Sequence, residues 1–278
     1  SWWGMKTLPS VNETSEEYRD YIINSDDSVV KHWLNAGAYG WRLDVVDELP
    51  GFFVKELRRA VKSKNPDAII IGEVWEDASN KISYGNRREY FLGEELDSVM
   101  NYPLRNAFID LAKNNITSQQ FDKRVMSLKE NYPTPAFLST LNMLSSHDVE
   151  RILTIVSQAP DKNSVNRDFC ANFRLTPDEE EKALKKVKQL VMMQMLFPGV
   201  PCIYYGDEIG MQGCADPFCR KTFDWNRAEN DYSQQFKKWI KLRNSSEVFT
   251  DGEFTPLYTI GNIYAFARYT DTQKYVII

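Results

Sequence analysis

Short apolar runs alternate along the chain with stretches whose apolar positions recur at helical spacing. The runs are rich in β-branched and aromatic residues, which is typical of buried strands. They lie at Ala38–Val46, Ala68–Trp75, Leu96–Asn101, Phe137–Leu144 and Pro201–Tyr205. Strands that alternate with helices predict βαβ units and a parallel sheet, so this pattern places the chain in the α/β class.

The stretches between these runs follow the 3.6-residue period and predict helices. They lie at Phe52–Lys64, Phe108–Lys113, Ser118–Glu130, Thr176–Leu196 and Tyr232–Asn244. The fourth has the clearest start, because Thr176 is a suitable N-cap, Pro177 takes the first helical position and Glu179 completes a capping box. His32, one of two histidines, falls on a further helix face and is assigned no function.

After about Glu247 the pattern changes to Gly-punctuated β segments without helices. The segments are Gly252–Tyr258, Ile263–Tyr269 and Lys274–Ile278. They predict the beginning of a separate all-β domain. The chain contains no fixed-period repeat and no low-complexity tract, which excludes solenoid architectures.

Composition and charge narrow the classes of partner. Of the 278 residues, 42% are hydrophobic and 26% are charged, values typical of a soluble globular protein. The net charge is −5, and no stretch is dense in Lys and Arg, so nothing indicates binding to nucleic acid or to an anionic membrane. No apolar run reaches the roughly 18 residues of a membrane-spanning helix.

The four cysteines are too sparse for a disulfide framework in a chain of this length. They are Cys170, Cys202, Cys214 and Cys219. Free thiols in a reducing compartment are favoured. The alternatives are a local disulfide or a weak metal pair formed by Cys214 and Cys219, and a zinc site would need two further ligands.

Three carboxylates lie near the C-terminal ends of predicted strands: Asp44, Glu73 and Asp148. On the first of these strands, a period of two puts Arg42 and Asp44 on the same face. A purely structural role explains this pair poorly, because desolvation offsets the Coulomb attraction of a buried ion pair. In a parallel α/β sheet or barrel the C-terminal strand ends carry the chemistry, so the three acids together predict an active site.

Four motifs in this order resemble those of the α-amylase family, glycoside hydrolase family 13. Gly40–Leu49 is similar to its fourth-strand motif, Gly72–Trp75 to the fifth, Ser145–Asp148 to the seventh and Pro198–Glu208 to the eighth-strand segment. Leu96–Pro103 and the Ser-His-Asp form of the seventh-strand motif resemble most the neopullulanase and cyclomaltodextrinase branch. The resemblance covers nearly the whole chain.

The resemblance implies a (β/α)₈ TIM barrel of which this chain holds strands four to eight, followed by the beginning of a C-terminal β-sandwich. We expect residues 1–14 to leave an inserted domain, residues 15–246 to form the C-terminal part of the catalytic barrel and residues 247–278 to start the all-β domain. The chain is thus expected to be a fragment without the first three strands. Because strand number, tilt and stagger are linked in a barrel, the isolated fragment is expected to be inactive and to self-associate through open sheet edges.

The resemblance assigns Asp44 as the nucleophile, Glu73 as the general acid/base and Asp148 as the third acid, which holds substrate hydroxyls. It implies a retaining hydrolase of α-1,4 links, with α-1,6 links left open, that acts on maltodextrins, cyclodextrins or pullulan through a covalent glycosyl-enzyme intermediate. Asp44 has to be ionised, which Arg42 on the same strand face favours. Glu73 has to hold a proton near neutral pH, which an apolar wall such as Trp75 favours.

Four side chains are expected to bind substrate. Arg42 and His147 stand beside the candidate acids in the motifs. The aromatic rings of Trp75 and Tyr102 fall in segments that border the expected cleft, where they are candidates for stacking on sugar rings.

Other polar residues near the motifs are assigned no chemistry. Asp47 and Glu48 either line the leaving-group side of the site or belong to an exposed helix turn. Asp207 and Glu208 are expected to be structural, since the family gives the corresponding residues no role in the reaction. Asp216 and Arg220 are expected in a loop over the barrel mouth, where contact with substrate is left open and no role is assigned.

The chain is expected to need no cofactor or metal of its own, and calcium in the intact protein is left open because family calcium sites often involve the inserted domain. An α-glucan is the expected partner. The resemblance to the neopullulanase branch and the four cysteines favour the cytoplasm. The alternative function is a non-catalytic, amylase-like carbohydrate-binding or scaffold protein, although such relatives typically lose the triad acids.

Overall fold

A computed structural model describes residues 1–157, 159–160 and 164–278 of the chain. The chain divides into two units, Ser1–Met100 and Asn101–Ile278. Within the described ranges, no helix is long and apolar enough to cross a bilayer.

The first unit contains a three-stranded parallel sheet. Its strands are β1 (Gly40–Leu43), β2 (Ile69–Gly72) and β5 (Ser98–Val99), with β2 in the middle. An antiparallel hairpin of β3 (Ile82–Ser83) and β4 (Asn86–Arg87) lies between β2 and β5 in the sequence. The first three predicted strands are confirmed, each shorter than its apolar run, whereas the apolar pattern gives no sign of the hairpin.

Helices in the first unit precede β1 and connect β1 to β2. They are α1 (Glu16–Arg19), a short π-helical segment (Asp20–Asn24), α2 (Val29–Asn35) and α3 (Gly51–Lys64). The buried residues of α3 recur at helical spacing and are Phe53, Val54, Leu57, Ala60 and Val61. Phe52, expected on the same apolar face, is 46% exposed. His32 lies on α2, where its ring meets that of Trp33 edge to face.

Two features fix β2 against its neighbours. A Cβ atom at Gly40 would lie 2.1 Å from the carbonyl oxygen of Ile69, so only glycine permits this close approach of β1 and β2. Asp97, just before β5, accepts a hydrogen bond from the Ile70 N–H at 2.9 Å and forms an ion pair with Arg58 of α3 at 2.8 Å. These contacts fix the first residues of β1 and β2 against each other and against the segment before β5.

The second unit contains a parallel pair of strands among helices. The strands are β6 (Leu141–Met143) and β7 (Val200–Cys202). The helices are α4 (Tyr102–Ala112), α5 (Ser118–Asn131), α6 (Thr134–Ser139), α7 (Ile152–Ile155), α8 (Arg167–Asn172), α9 (Pro177–Leu196) and α10 (Asp231–Asn244). The predicted strand Phe137–Leu144 is wrong in its first three residues, which end α6, because Pro135 near the start of α6 favours a helix there.

The start of α9 confirms the predicted capping box. The Glu179 N–H donates to Thr176 Oγ1 at 3.4 Å, and the Thr176 N–H donates to Glu179 Oε2 at 2.8 Å. The hydrogen bond from the Thr176 backbone holds the pKa of the Glu179 carboxyl below its ordinary value.

The last residues form an antiparallel sheet, as the Gly-punctuated pattern predicts. Its strands are β8 (Glu253–Ile260), β9 (Ile263–Tyr269) and β10 (Lys274–Ile277), with β9 in the middle. Phe197 at the end of α9 lies 4.9 Å from Phe254 and 5.3 Å from Phe266, measured between ring centroids. These rings join the sheet to the helices of the second unit. The two-sheet sandwich stays a prediction of the resemblance.

Candidate active site

The guanidinium of Arg42 holds both candidate carboxylates of the first unit. Asp44 and Glu73 each come directly after a parallel strand, β1 and β2. Arg42 Nη1 donates to Asp44 Oδ1, and Nη2 lies 2.9 Å from Glu73 Oε2. The side chain of Asp44 is 73% exposed and that of Glu73 is 5% exposed. One carboxylate is therefore open to a ligand and the other is enclosed, while a single side chain binds both.

Two further donors fix the carboxylate of Glu73. The Val45 N–H donates to Oε2 at 2.8 Å, and the Trp75 indole N–H donates to Oε1 at 2.9 Å. The expectation of an apolar wall is wrong for this contact, because Trp75 meets Glu73 through its polar N–H. The side chain of Trp75 remains 42% exposed, which leaves part of its ring accessible to a ligand.

Val45 adopts a backbone conformation that a β-branched residue rarely takes. Its φ of 37° and ψ of 58° are left-handed. This turn begins directly after Asp44 and presents the Val45 N–H to Glu73. Such strain persists only where the surrounding structure imposes it, and it concentrates at functional sites.

Replacing Val45 by Gly is expected to give a more stable protein than replacing it by Ala, by about 1 kcal/mol in the free energy of unfolding. Both variants remove the branched side chain, but only glycine adopts the left-handed conformation without strain. Chemical denaturation of the two variants measures the difference. The opposite order would show that the backbone at Val45 is unstrained.

In the second unit, His147 and Asp148 lie together after β6. His147 Nε2 is 3.3 Å from Asp148 Oδ2, and the Asp148 N–H donates to Ser146 Oγ at 3.2 Å. The side chains of His147 and Asp148 are 42% and 26% exposed. Both predicted residues are thus accessible to a ligand and are held by neighbouring protein groups.

Tyr102 is fully buried, so the expectation that its ring stacks on a sugar is wrong in this structure. It is the first residue of α4, whose start is capped by the side chain of Asn101. The Tyr102 hydroxyl lies 3.2 Å from Ser146 Oγ and donates to Asp148 Oδ2 at 3.4 Å. Tyr102 therefore positions Asp148.

Arg220, which the sequence places in a loop over the barrel mouth, also contacts this pair. Its Nη2 lies 3.7 Å from Asp148 Oδ1, and its Nε donates to the carbonyl oxygen of His147 at 2.9 Å. Asp216 Oδ1 lies 2.6 Å from the same Nε. Arg220 is 73 positions beyond His147 in the chain, so no local pattern reveals the contact.

The cysteines are free thiols in this structure, and one of them contacts the pair. Cys219 Sγ donates to the carbonyl oxygen of His147 at 3.1 Å. Burial and a hydrogen bond with Cys170 raise the pKa of the Cys214 thiol to about 12. Cys214 and Cys219 form no disulfide in this structure, and Cys214 lies beside Cys170 instead.

Two other acids near the motifs have structural partners. Asp207 is buried and forms an ion pair with Arg151 Nη1 at 3.1 Å, as the structural interpretation predicts. Burial raises the pKa of Asp207 to about 6. Asp47 belongs to a short 3₁₀ turn, but it is not an exposed acid, because it pairs with Lys81 at 3.0 Å and its side chain is 15% exposed.

Across residues 1–157, 159–160 and 164–278, no group of three or more His, Cys, Asp or Glu side chains is arranged to hold a metal ion. Calcium in the intact protein stays a prediction that rests on the resemblance alone.

Acids placed directly after parallel strands and held by fixed donors are typical of α/β glycoside hydrolases. The chain belongs to the α-amylase family, since residues 2–252 match the family described as alpha amylase, catalytic domain. The match confirms the resemblance that the four motifs indicate.

Relatives with curated names extend this comparison. The chain is 37% identical to an amylopullulanase from Thermoanaerobacter thermohydrosulfuricus, over 96% of this chain and 18% of that protein. It is 34% identical to neopullulanase 2 from Thermoactinomyces vulgaris, over 98% of this chain and 41% of that protein. The chain therefore spans less than half the length of these relatives. Their names confirm the predicted neopullulanase-like branch.

Solved structures show the same fold. A cyclomaltodextrinase that is 30% identical superposes with a TM-score of 0.80, over 99% of this chain and 42% of that one. The debranching enzyme of Nostoc punctiforme is 28% identical, with a TM-score of 0.80 over 99% of this chain and 53% of that one. Together with the family match they support the (β/α)₈ fold class. The assignment of barrel strands four to eight stays a prediction.

Proposed function

We propose that the protein carrying this chain is a retaining α-glucan hydrolase. The observation that carries the proposal is the guanidinium of Arg42, whose two terminal nitrogens bind an exposed Asp44 and an enclosed Glu73. Retaining glycosidases use two carboxyl groups about 5–5.5 Å apart, one as the nucleophile and the other as the acid/base. Family membership and the names of the relatives support α-glucans as the substrate class.

Asp44 is the proposed nucleophile, as the resemblance of its motif implies, and its exposed carboxylate is accessible to a sugar. It attacks the anomeric carbon, while Glu73 gives its proton to the glycosidic oxygen and the bond to the leaving sugar breaks. Glu73 then takes a proton from water, whose oxygen attacks the anomeric carbon and releases Asp44. The N–H groups of Val45 and Trp75 bind the two oxygens of Glu73 and so fix the orientation of the proton donor.

Asp148 is the proposed third acid of the reaction, which binds substrate hydroxyls together with His147. Carboxylate oxygens accept hydrogen bonds from hydroxyls, and a His ring nitrogen donates or accepts. Both side chains are partly exposed, which supports direct contact with a substrate. Arg42 and the accessible part of the Trp75 ring complete the proposed substrate contacts.

The proposed substrates are maltodextrins, cyclodextrins and pullulan, which are cleaved at α-1,4 links. The assay below also determines whether α-1,6 links are cleaved. The natural protein that contains this sequence is expected to release reducing sugar from at least one of them. Proton NMR during the first turnovers is expected to show the α-anomer of the new reducing end, because two displacements retain the configuration. A β-anomer would contradict the nucleophilic role of Asp44.

The same assay applied to the 278-residue chain alone is expected to show no release of reducing sugar. Among the described residues, five strands run parallel in two sheets, whereas a (β/α)₈ barrel closes with eight. Association of the short chain through strand edges belongs to the same proposal. Activity of the short chain equal to that of the longer protein would contradict it.

A further inference from the structure

A cavity with both apolar and charged lining residues lies in the first unit, between the hairpin β3–β4 and the start of α3. Its volume of about 500 Å³ falls within the range of roughly 300–1,000 Å³ that is typical of ligand pockets. The residues that line it include Glu48, Phe52, Tyr84 and Glu95. Asp44 and Glu73 do not line it, so this cavity is distinct from the pair of candidate catalytic carboxylates.

The hairpin is fastened to the turn that follows β1. Arg88 Nη2 donates to the carbonyl oxygens of Val46 and Asp47, at 2.8 and 3.0 Å, and also to that of Leu49. Ser83 Oγ donates to the Asp47 carbonyl oxygen at 2.8 Å. One wall of the cavity is therefore held against the turn that begins beside Asp44.

Tyr84 presents an aromatic ring at this cavity. Its side chain is 73% exposed, so the ring is not part of the core. Its backbone is left-handed at the tip of the hairpin, with φ of 50°, and its hydroxyl donates to the carboxylate of Glu48. A ring that is fixed in advance loses little conformational freedom when a ligand stacks on it.

Glu95 also lines this cavity, and one oxygen of its buried carboxylate is an unused acceptor. Its side chain is 3% exposed, and its Oε2 has no hydrogen-bond partner within the part of the chain that the structure describes. Burial raises the pKa of Glu95 above its ordinary value. A buried polar atom without a partner costs free energy, which a hydroxyl donor on a ligand would remove.

The charges that line the cavity balance one another. The lining residues include three acids and three bases: Glu48, Glu89, Glu95, Lys55, Arg87 and Arg88. This balance favours a neutral ligand over an anion or a cation, and the described residues hold no cluster suited to a metal ion. A sugar unit meets these requirements, because it offers hydroxyl donors and acceptors together with an apolar ring face.

We propose that this cavity binds a glucosyl unit of an α-glucan chain, with the Tyr84 ring stacked on the sugar and Glu95 accepting a hydrogen bond from one of its hydroxyls. The inference deepens the proposed function and rests on it for the class of ligand. In this proposal the hairpin β3–β4 binds the glucan chain at a position away from the bond that is cleaved.

The test uses the natural protein that contains this sequence, with Glu73→Gln in every sample so that the glucan stays intact. Hydrogen–deuterium exchange of the amides of residues 81–95, titrated with maltoheptaose, reports binding at the cavity itself. Protection of these amides is expected. Tyr84→Ala and Glu95→Gln are each expected to weaken the apparent affinity about 3- to 10-fold. Tyr84→Phe, which keeps the ring, is expected to weaken it less.

Matched controls separate this site from a general effect on the protein. Tyr21→Ala removes another exposed tyrosine of the same unit, 67% exposed, and is expected to leave the titration unchanged. Absence of protection by maltoheptaose, or a titration unaffected by both Tyr84→Ala and Glu95→Gln, would overturn the inference. Equal protection by cellohexaose, whose links are β-1,4, would overturn the assignment to α-glucans. Failure of the proposed function is measured separately, as absence of reducing-sugar release by the wild-type protein.

Discussion

Replacing Glu73 by Gln is expected to lower kcat/KM for maltodextrins by about 10²–10⁴-fold, the usual contribution of general acid–base catalysis. The amide has no proton to give to the leaving glycosidic oxygen. With an aryl maltoside whose phenolate leaves without protonation, the same substitution is expected to reduce kcat/KM far less. Steady-state kinetics on the two substrates therefore separates proton donation by Glu73 from its other contacts.

Asp44→Asn is the matched control for this experiment. The nucleophile is needed whatever the leaving group, so this variant is expected to lose activity on both substrates alike. Equal losses on both substrates in Glu73→Gln would contradict its role as the acid. A wild-type protein that binds maltodextrins and hydrolyses neither substrate would favour the alternative of a non-catalytic carbohydrate-binding protein.

Features set by neighbouring residues could be predicted from the sequence. Asp44 and Glu73 follow apolar strands, and the period of two places Arg42 beside Asp44, as the structure has it. The Thr176 capping box depends on residues within one turn of helix, which is why its prediction is confirmed in detail. Local periodicity is sufficient for such contacts because their partners lie within a few positions.

Contacts between distant segments could not be predicted in this way. Arg220 contacts the residues after β6 across a long stretch of chain, and its loop has no periodic pattern. Tyr102 follows a strand and was placed at a cleft, yet it is buried because α4 begins there and turns the side chain inward. Burial of a single aromatic residue depends on how the surrounding elements pack, and composition does not record this.

The cavity beside the hairpin could not be predicted from the sequence either, because it is formed by segments that are distant in the chain. Its strands are two residues long, too short for an alternating pattern to stand out. Glu95 reads as an ordinary surface acid, and only the packed structure shows its carboxylate enclosed without a partner among the described residues. Candidate binding residues outside the motifs are thus identified from the burial and hydrogen bonding that the structure shows.

Replacing Arg151 by Met is expected to lower the free energy of unfolding by about 3–5 kcal/mol, the usual cost of removing one partner of a buried ion pair. The Arg151 side chain is 0% exposed. Its Nε donates to the Cys219 carbonyl oxygen at 2.9 Å, and its Nη1 donates to the Tyr205 carbonyl oxygen at 2.6 Å and to Asp207 at 3.1 Å. Chemical denaturation monitored by tryptophan fluorescence measures the loss.

The pH dependence of this loss tests its electrostatic origin. A carboxyl whose folded-state pKa is raised destabilises the fold as pH rises through that pKa, and burial already raises the pKa of Asp207 to about 6 against an ordinary value of 3.8. Without Arg151 the enclosed charge has lost its cation, so Arg151→Met is expected to lose less stability at pH 4 than at pH 7. Adding Asp207→Asn is expected to recover part of the loss at pH 7, because the pair is then removed as a unit. If the loss of stability in Arg151→Met changed neither with pH nor on adding Asp207→Asn, its electrostatic origin would be contradicted. Arg151 would then stabilise the fold through its hydrogen bonds with the backbone of Tyr205 and Cys219.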